Sequence, residues 1–124
     1  ENQNNPIKLG GIATLNTPEM EFVSQLNEYI ENVWSNSEIT VSDFHNSLGY
    51  SKSKLYRTMM SLLGKSPNSF LKDYRLNKAL LLLDKQNANI SEIAYNTGFS
   101  SPAYFSKCFQ ETYGMLPSKY MKQL

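Results

Sequence analysis

The sequence predicts an all-α fold in which two helix-turn-helix subdomains are joined by a long linker helix, with about seven helices in all. The main observation is an internal repeat, because GYSKSKLYRTMMSLLGKSP at residues 49–67 and GFSSPAYFSKCFQETYGMLP at residues 98–117 are near copies. Each copy follows a short helical segment that has its own capping box. A short helix, a glycine-containing turn and a longer helix form the helix-turn-helix pattern.

The spacing of the two copies indicates where they differ. Gly49 matches Gly98 with an offset of 49 residues, whereas Gly64 matches Gly114 with an offset of 50. One residue is therefore inserted in the second copy, and Pro102 marks approximately where it lies.

The first helix is predicted to begin around Thr17. Residues 1–16 are rich in Asn and Gly and carry no period, so they predict a flexible tail or linker. Thr17 is a favourable N-cap, Pro18 suits the first helical position and Glu19 complements the helix dipole. Apolar residues then recur at helical spacing along one face: Phe22, Leu26, Ile30 and Val33 or Trp34.

Residues 17–65 are expected to hold this helix and the first helix-turn-helix. Thr40 and Asp43 predict the capping box of a short helix that ends at Gly49. Ser51 then caps the longer helix. The predicted apolar face of this helix consists of Leu55, Met59 and Leu62 or Leu63, and Gly64 is predicted to end it.

Residues 66–85 are predicted to form the linker helix, which spans roughly 28 Å at 1.5 Å per residue. Residues 86–124 then repeat the first pattern. Asn89 and Glu92 predict a second capping box, and Ser101 caps a longer helix that has Pro102 at its first position. A final short helix follows Pro117, and we expect its start to be loose because Leu116 is a poor cap.

The composition argues against an enzyme. One cysteine, Cys108, excludes an internal disulfide and a cysteine-rich zinc site, and one histidine, His45, leaves no second imidazole for a metal site or catalytic relay. We find no phosphate-loop or nucleophile-elbow pattern, so neither a cofactor nor a metal is predicted. The longest apolar run, residues 79–83, is too short for a membrane span. We therefore expect a soluble, cytoplasmic domain without membrane contact, cut from a longer protein.

The charge is divided unevenly along the chain. Residues 1–38 hold six acidic residues and one lysine, a net charge of −5, whereas residues 39–124 hold eleven basic and five acidic residues, a net charge of +6. The basic part contains the repeat. Such asymmetry is a hint of nucleic-acid contact, although a solvated basic face has the same composition.

Two segments carry a resemblance to a known family. SEIAYNTGFSSPAYFSKCFQETYGMLPSKY at residues 91–120 and FLKDYRLNKALLLL at residues 70–83 resemble the DNA-binding domain of AraC/XylS-family transcription regulators. The resemblance covers about residues 19–124. The segment GYSKSKLYRTMMSLLGKSPNSFLKDYRL also resembles the output domains that end hybrid two-component sensors of gut Bacteroidetes.

The resemblance implies sequence-specific binding of double-stranded DNA for transcription regulation. It implies that the two recognition helices enter successive major grooves, about 34 Å apart, and that the linker helix holds their separation. We expect the isolated domain to be a monomer and the parent protein a dimer, with RNA polymerase open as a further partner. The parent protein would be anchored in a membrane if it is a hybrid sensor.

The outward positions of the longer helix in the first copy are the first set of candidate DNA-binding residues. Arg57 is the best candidate for base readout, because arginine is the usual bidentate partner of guanine. Lys52 and Lys54 are candidates for phosphate contacts, since an ammonium on a flexible stem neutralises charge without fixed geometry. Ser53 and Tyr56 complete the outward face.

The second copy offers weaker candidates. Pro102 and Ala103 cannot hydrogen-bond base edges through their side chains, so this helix is expected to contact thymine methyls, to follow groove shape or to anchor the backbone. Lys107 corresponds to Arg57. Helix N-terminal amides at Ser91 and Ser101 are expected to face phosphate, and Ser106 completes the set.

Several alternatives stay open at this stage. The weak second recognition helix and the low total charge favour a helical protein-interaction domain with weak or lost DNA binding, and Arg57 could instead pair with a carboxylate on a solvated face. His45 stands where the second copy has Ala94, so we expect a structural role at the core edge rather than a pH or metal role. Cys108 is expected to be an inert buried thiol rather than a redox sensor. The resemblance to the family implies that Arg75 is structural rather than a DNA contact.

Overall fold

The computed structural model describes residues 15–85 and 88–124, and all regular secondary structure within them is α-helical. Most of the predicted tail, residues 1–14, lies outside the described residues, as do residues 86 and 87. The predicted all-α fold is confirmed. Seven helices lie in the described ranges: α1 (Thr17–Val33), α2 (Val41–Leu48), α3 (Lys52–Leu63), α4 (Pro67–Lys85), α5 (Ile90–Asn96), α6 (Pro102–Tyr113) and α7 (Pro117–Lys122).

The first of two compact units combines α1, α2, α3 and the beginning of α4 as far as Phe70. α2 packs against both α1 and α3, and the Tyr29 and Phe44 rings meet at 5.2 Å between centroids. One apolar face of each helix is buried, which agrees with the helical spacing in the sequence. The core residues from the three helices are Phe22, Val23, Leu26, Ile30, Phe44, Leu55, Met59 and Leu62.

The second unit combines α4 from Leu71 onwards with α5, α6 and α7, and it also includes Trp34–Glu38. We call Trp34–Glu38, which links α1 to α2, the connector. α6 packs against α5 and α7, and the Tyr120 hydroxyl donates to Asp84 Oδ1 at 2.6 Å, which ties α7 to α4. The core is formed by Leu76, Ala79, Leu83, Ile93, Ala94, Phe99, Phe105, Cys108 and Phe109.

The N-cap of α1 is Asn16 rather than Thr17. The Asn16 side chain accepts from the Glu19 backbone N–H at 2.9 Å, while Glu19 Oε1 accepts from the Asn16 N–H at 3.0 Å. This reciprocal pair is a capping box, which satisfies two backbone donors where Thr17 alone would satisfy one. Both residues are good caps by type, and the position of Glu19 decides between them.

The inserted residue of the second copy lies in the turn, ahead of Pro102. Ser51 caps α3 two residues after Gly49, whereas Ser101 caps α6 three residues after Gly98. Pro102 is the first residue of α6, where proline is favourable because its missing N–H has no helical partner. None of the helices in the described residues has both the length and the apolar character of a membrane span.

Candidate nucleic-acid interface

The first helix-turn-helix consists of α2, residues 49–51 and α3. Thr40 Oγ1 accepts from the Asp43 N–H at 3.1 Å, and Asp43 Oδ2 accepts from the Thr40 N–H at 3.1 Å, so the predicted capping box is confirmed. Gly49 ends α2 in the left-handed conformation, with φ of 75°. Ser51 Oγ then accepts from the Lys54 N–H at 3.1 Å. These local contacts fix where α3 begins.

His45 closes the turn of this motif. Its Nδ1 lies 3.0 Å from the carbonyl oxygen of Tyr50, and the Tyr50 N–H donates to the His45 carbonyl at 2.9 Å. The Tyr50 ring packs against Phe22 of α1, with 5.3 Å between ring centroids. The partly buried histidine therefore lies at the core edge and braces the turn, in agreement with the structural role expected for it.

The outward face of α3 carries the predicted DNA-binding residues. Leu55, Met59 and Leu62 point into the core, which leaves the opposite face in solvent. Lys54 Nζ lies 4.8 Å from the Tyr50 ring centroid, so a cation–π contact holds this ammonium near the turn. The structure places all five predicted residues of this helix on its exposed surface: Lys52, Ser53, Lys54, Tyr56 and Arg57.

Arg57 lies beside a shallow groove of about 310 Å³ that Glu19, Thr58, Ser61 and Leu62 also line. Glu19 already accepts the Asn16 N–H through Oε1. In the part of the chain that the structure describes, no hydrogen bond or ion pair of the Arg57 side chain is found. A guanidinium that is exposed and unpaired keeps its donor fork available to a base edge or a phosphate.

The second helix-turn-helix consists of α5, residues 97–101 and α6. The capping box of Asn89 and Glu92 is confirmed by reciprocal hydrogen bonds of 2.8 and 3.0 Å. Thr97 is fully buried, and its hydroxyl donates to the Ile93 carbonyl at 2.7 Å, which satisfies a polar group inside the core. Ser101 Oγ accepts from the Tyr104 N–H at 3.1 Å and caps α6.

The predicted residues of the second motif are less exposed as a group than those of α3. Ser91, Ala103 and Lys107 are exposed, whereas Ser101, Pro102 and Ser106 are partly buried. Phe105, Cys108 and Phe109 point into the core. Lys107 is the one cation of α6, compared with three on α3.

Two exposed tyrosines of this motif were not among the predicted site residues. Tyr95 on α5 is 57% exposed and Tyr104 on α6 is 48% exposed. The Tyr104 ring lies 6.0 Å from the Phe99 ring, measured between centroids. The pKa of the Tyr104 hydroxyl is raised, mainly by a hydrogen bond with Cys108 and to a smaller extent by partial burial. The sequence signal for both residues was an aromatic side chain on the polar face of a predicted helix. Cys108 itself is 2% exposed, as expected of a buried thiol.

The fold and the exposed helices together define a double helix-turn-helix DNA-binding domain. The profile of the helix-turn-helix domain family matches residues 45–123. The chain belongs to the AraC/XylS family of transcription regulators, in which it is the part that binds DNA in a sequence-specific way.

The curated relatives include proteins from several bacteria. The chain is 33% identical over 110 residues to histidine kinase P4 of Formosa agariphila, an alignment that covers 89% of this chain and 8% of the relative. It is 36% identical over 85 residues to the uncharacterized HTH-type transcriptional regulator YdeC of Bacillus subtilis, covering 68% of this chain and 29% of that protein. The chain thus spans less than a third of either relative's length.

Solved structures share the fold. The C-terminal domain of AraT, a response regulator from Geobacillus stearothermophilus, superposes with a TM-score of 0.79 at 28% identity, covering 90% of this chain and 89% of that one. An AraC-type DNA-binding regulator from Chromobacterium violaceum gives a TM-score of 0.75 at 25% identity, covering 87% and 96%.

Proposed function

We propose that this domain binds a two-block site on double-stranded DNA, with α3 and α6 in successive major grooves. The observation that carries the proposal is the outward face of α3, which bears three exposed cations near the N-terminus of the helix. The Ser51 cap and the buried apolar face fix the position of this helix. A helix of this kind presents its first turns to base edges while its opposite face stays in the core. The alternative, a protein-interaction domain, predicts no preferred site on DNA.

The residue roles on α3 follow from side-chain geometry. Arg57 reads a base, because its guanidinium is exposed and offers two parallel donors to guanine O6 and N7. Lys52 and Lys54 contact phosphates, and the contact between Lys54 and the Tyr50 ring directs this ammonium to the turn side of the helix. Ser53 and Tyr56 lie on the same exposed face and supply hydroxyl contacts.

α6 grips DNA and selects by shape rather than by hydrogen-bonded readout. Pro102 and Ala103 offer apolar contacts to thymine methyls, and Lys107 supplies one phosphate contact. The backbone amides at Ser91 and Ser101 and the Ser106 hydroxyl contact the phosphate backbone of the DNA. We thus divide the chain functionally into a first reading segment at residues 17–65, a linker at 66–85 and a second reading segment at 86–124.

The parent protein of this domain is proposed to be a two-component regulator, with a hybrid sensor as its specific form. Similarity to a histidine kinase and to the C-terminal domain of a response regulator supports this proposal. We infer that the isolated domain is monomeric, that the longer protein dimerises and that RNA polymerase is a further partner of the regulator. DNA binding requires the domain to face the cytoplasm, where bacterial DNA lies.

The test is a selection of bound duplexes from a random DNA library at two salt concentrations. We expect enrichment of a site with two preferred blocks about one helical turn apart, and an affinity that falls steeply as salt rises, because bound phosphates release counterions. A single enriched block would overturn the proposal for α6, and no enrichment at either salt would favour the interaction domain.

A further inference from the structure

Arg75 lies on the inward side of α4, where a charged residue is uncommon. It stands at four-residue steps from Leu71 and Ala79, which are both buried. Its Nε donates to the Trp34 carbonyl at 2.7 Å, and its Nη2 donates to the Asn36 carbonyl at 2.7 Å. The partners that the described residues provide are therefore backbone carbonyls of the connector, 41 and 39 residues away in sequence.

The guanidinium also sets the position of the turn in the second helix-turn-helix. Gly98 has φ of 92°, and a Cβ placed on it would lie 2.6 Å from Arg75 Nε and 2.7 Å from the Trp34 carbonyl oxygen. The backbone of the turn therefore rests directly on the Arg75–Trp34 hydrogen bond, with no room for a methyl group. Any shift of that bond has to move the turn or open a gap beneath it.

The same group of residues reaches the beginning of α6. The Gly98 turn beside Arg75 continues into Phe99, and the Tyr104 ring of α6 packs against the Phe99 ring, with 6.0 Å between centroids. On the other side, Lys78 Nζ lies 5.2 Å from the Trp34 ring centroid and 5.5 Å from that of Tyr74, which holds the connector against α4. The contacts form one continuous set from the connector through α4 and the turn to α6.

We infer that Arg75 is the positioning residue of the second DNA-reading segment. By holding the connector and the Gly98 turn, it sets where α6 presents its residues, so the base preference of the second block depends on residues that do not touch DNA. This inference rests on the proposed function. It extends the second reading segment to the connector, which lies before both helix-turn-helix motifs and before the family-matched region at residues 45–123.

Arginine suits this role because its donors are held in a rigid planar fork. Nε and Nη2 reach two carbonyls two residues apart in the connector. Lysine would keep the charge but would not hold both carbonyls in a fixed geometry.

The experiment repeats the DNA selection with the whole chain as wild type, Arg75→Ala, Arg57→Ala and Lys72→Ala. Binding of duplexes with either block scrambled then gives the preference for each block separately. We expect Arg75→Ala to lower the preference for the second block several-fold, because α6 loses the support of the Gly98 turn, while the first block keeps its preference. Arg57→Ala should show the opposite pattern. Lys72→Ala removes a cation from the same helix and should affect both blocks equally.

Folding is controlled within the same measurement. Retained preference for the first block reports a folded first unit, and circular dichroism at the binding temperature reports the helices of both units. Arg75→Lys is measured in the same way, and we expect this variant to lose part of the preference for the second block. If Arg75→Ala is unfolded, Arg75→Lys takes its place in the comparison. An equal loss on both blocks, or unchanged preferences in a folded variant, would overturn the inference. Wild type without any enriched site would instead count against the proposed function.

Discussion

Arg57 and Lys107 occupy equivalent positions in the two copies but differ in what their side chains can recognise. Both are exposed on the outer face of a twelve-residue helix. The arginine fork matches the paired acceptors of guanine, whereas the lysine ammonium is a compact charge without directional pairing. The two copies therefore share a scaffold and differ at the position where sequence is read.

Arg57→Ala is expected to lower affinity for the selected site by about 1–3 kcal/mol, since one bidentate base contact is lost. Affinity for unrelated DNA should fall by less, because that term depends on charge neutralisation alone. Fluorescence anisotropy with both duplexes measures the two losses. Equal losses on both would show that Arg57 contacts phosphate and does not read a base.

Lys107→Ala is expected to lower affinity to a similar extent for every duplex, and to reduce the slope of log affinity against log salt by roughly 1. The physical reason is the release of one fewer counterion. Titrations at several salt concentrations with the selected site and a scrambled site give both quantities. A changed preferred sequence after this substitution would mean that α6 reads bases through Lys107.

At the scale of the elements, the sequence was informative wherever a structure is decided by contacts within four residues. The capping boxes at Thr40 and Asn89 and the apolar face of α3 lie where local spacing predicted them. The missing side-chain cap at Leu116 was predicted on the same ground. The N-cap at Asn16 could have been predicted from its spacing to Glu19.

Contacts between distant segments could not be predicted in this way. The partners of Arg75 lie 41 and 39 residues away, and no local period encodes them. The sequence did contain one signal, an arginine at helical spacing between the buried residues Leu71 and Ala79. Likewise, the crowding at Gly98 depends on a distant carbonyl, although the glycine itself was visible in the repeat.

Gly98 and Gly114 allow this distinction to be measured. Both have positive φ, but a Cβ on Gly114 would meet nothing within 4 Å, whereas one on Gly98 would meet Arg75 and Trp34. Gly114→Ala should therefore cost about 1–2 kcal/mol of stability, the usual penalty for a left-handed residue with a Cβ. Gly98→Ala should cost clearly more, because a clash is added to the same backbone penalty.

Denaturant unfolding of the two variants, followed by circular dichroism, compares the free energies of unfolding directly. Similar costs for both substitutions would show that the turn can move away from Arg75 without loss.

At the scale of the whole molecule, the tyrosines link stability to alkaline pH in both units. Burial raises the pKa of Tyr29 and Tyr113, a hydrogen bond to Asp84 raises the pKa of Tyr120, and a hydrogen bond with Cys108 raises that of Tyr104. In the unfolded chain these hydroxyls titrate near pH 10. Between that pH and the higher folded pKa values, the unfolded state binds fewer protons than the folded state.

The free energy of unfolding should therefore be unaffected by these groups below about pH 9 and should decrease as pH rises through 10 and above. Urea unfolding at a series of pH values measures this slope. Tyr113→Phe removes one of the titrating groups and should make the decrease shallower. A slope that Tyr113→Phe does not change would contradict the assignment.

The composition of the two compact units also limits how such domains can be recombined. The connector packs with the second unit, while the helices on either side of it belong to the first. A chain divided between the two motifs would therefore leave the connector on the fragment that carries the first motif. A chimera that takes its second motif from a relative should also take residues 34–38 from that relative, together with the matching arginine of the linker helix. If residues 71–124 alone were exchanged, the turn at position 98 would come from the relative and the connector from this chain. The close contact between that turn and the Trp34 carbonyl would then no longer be matched.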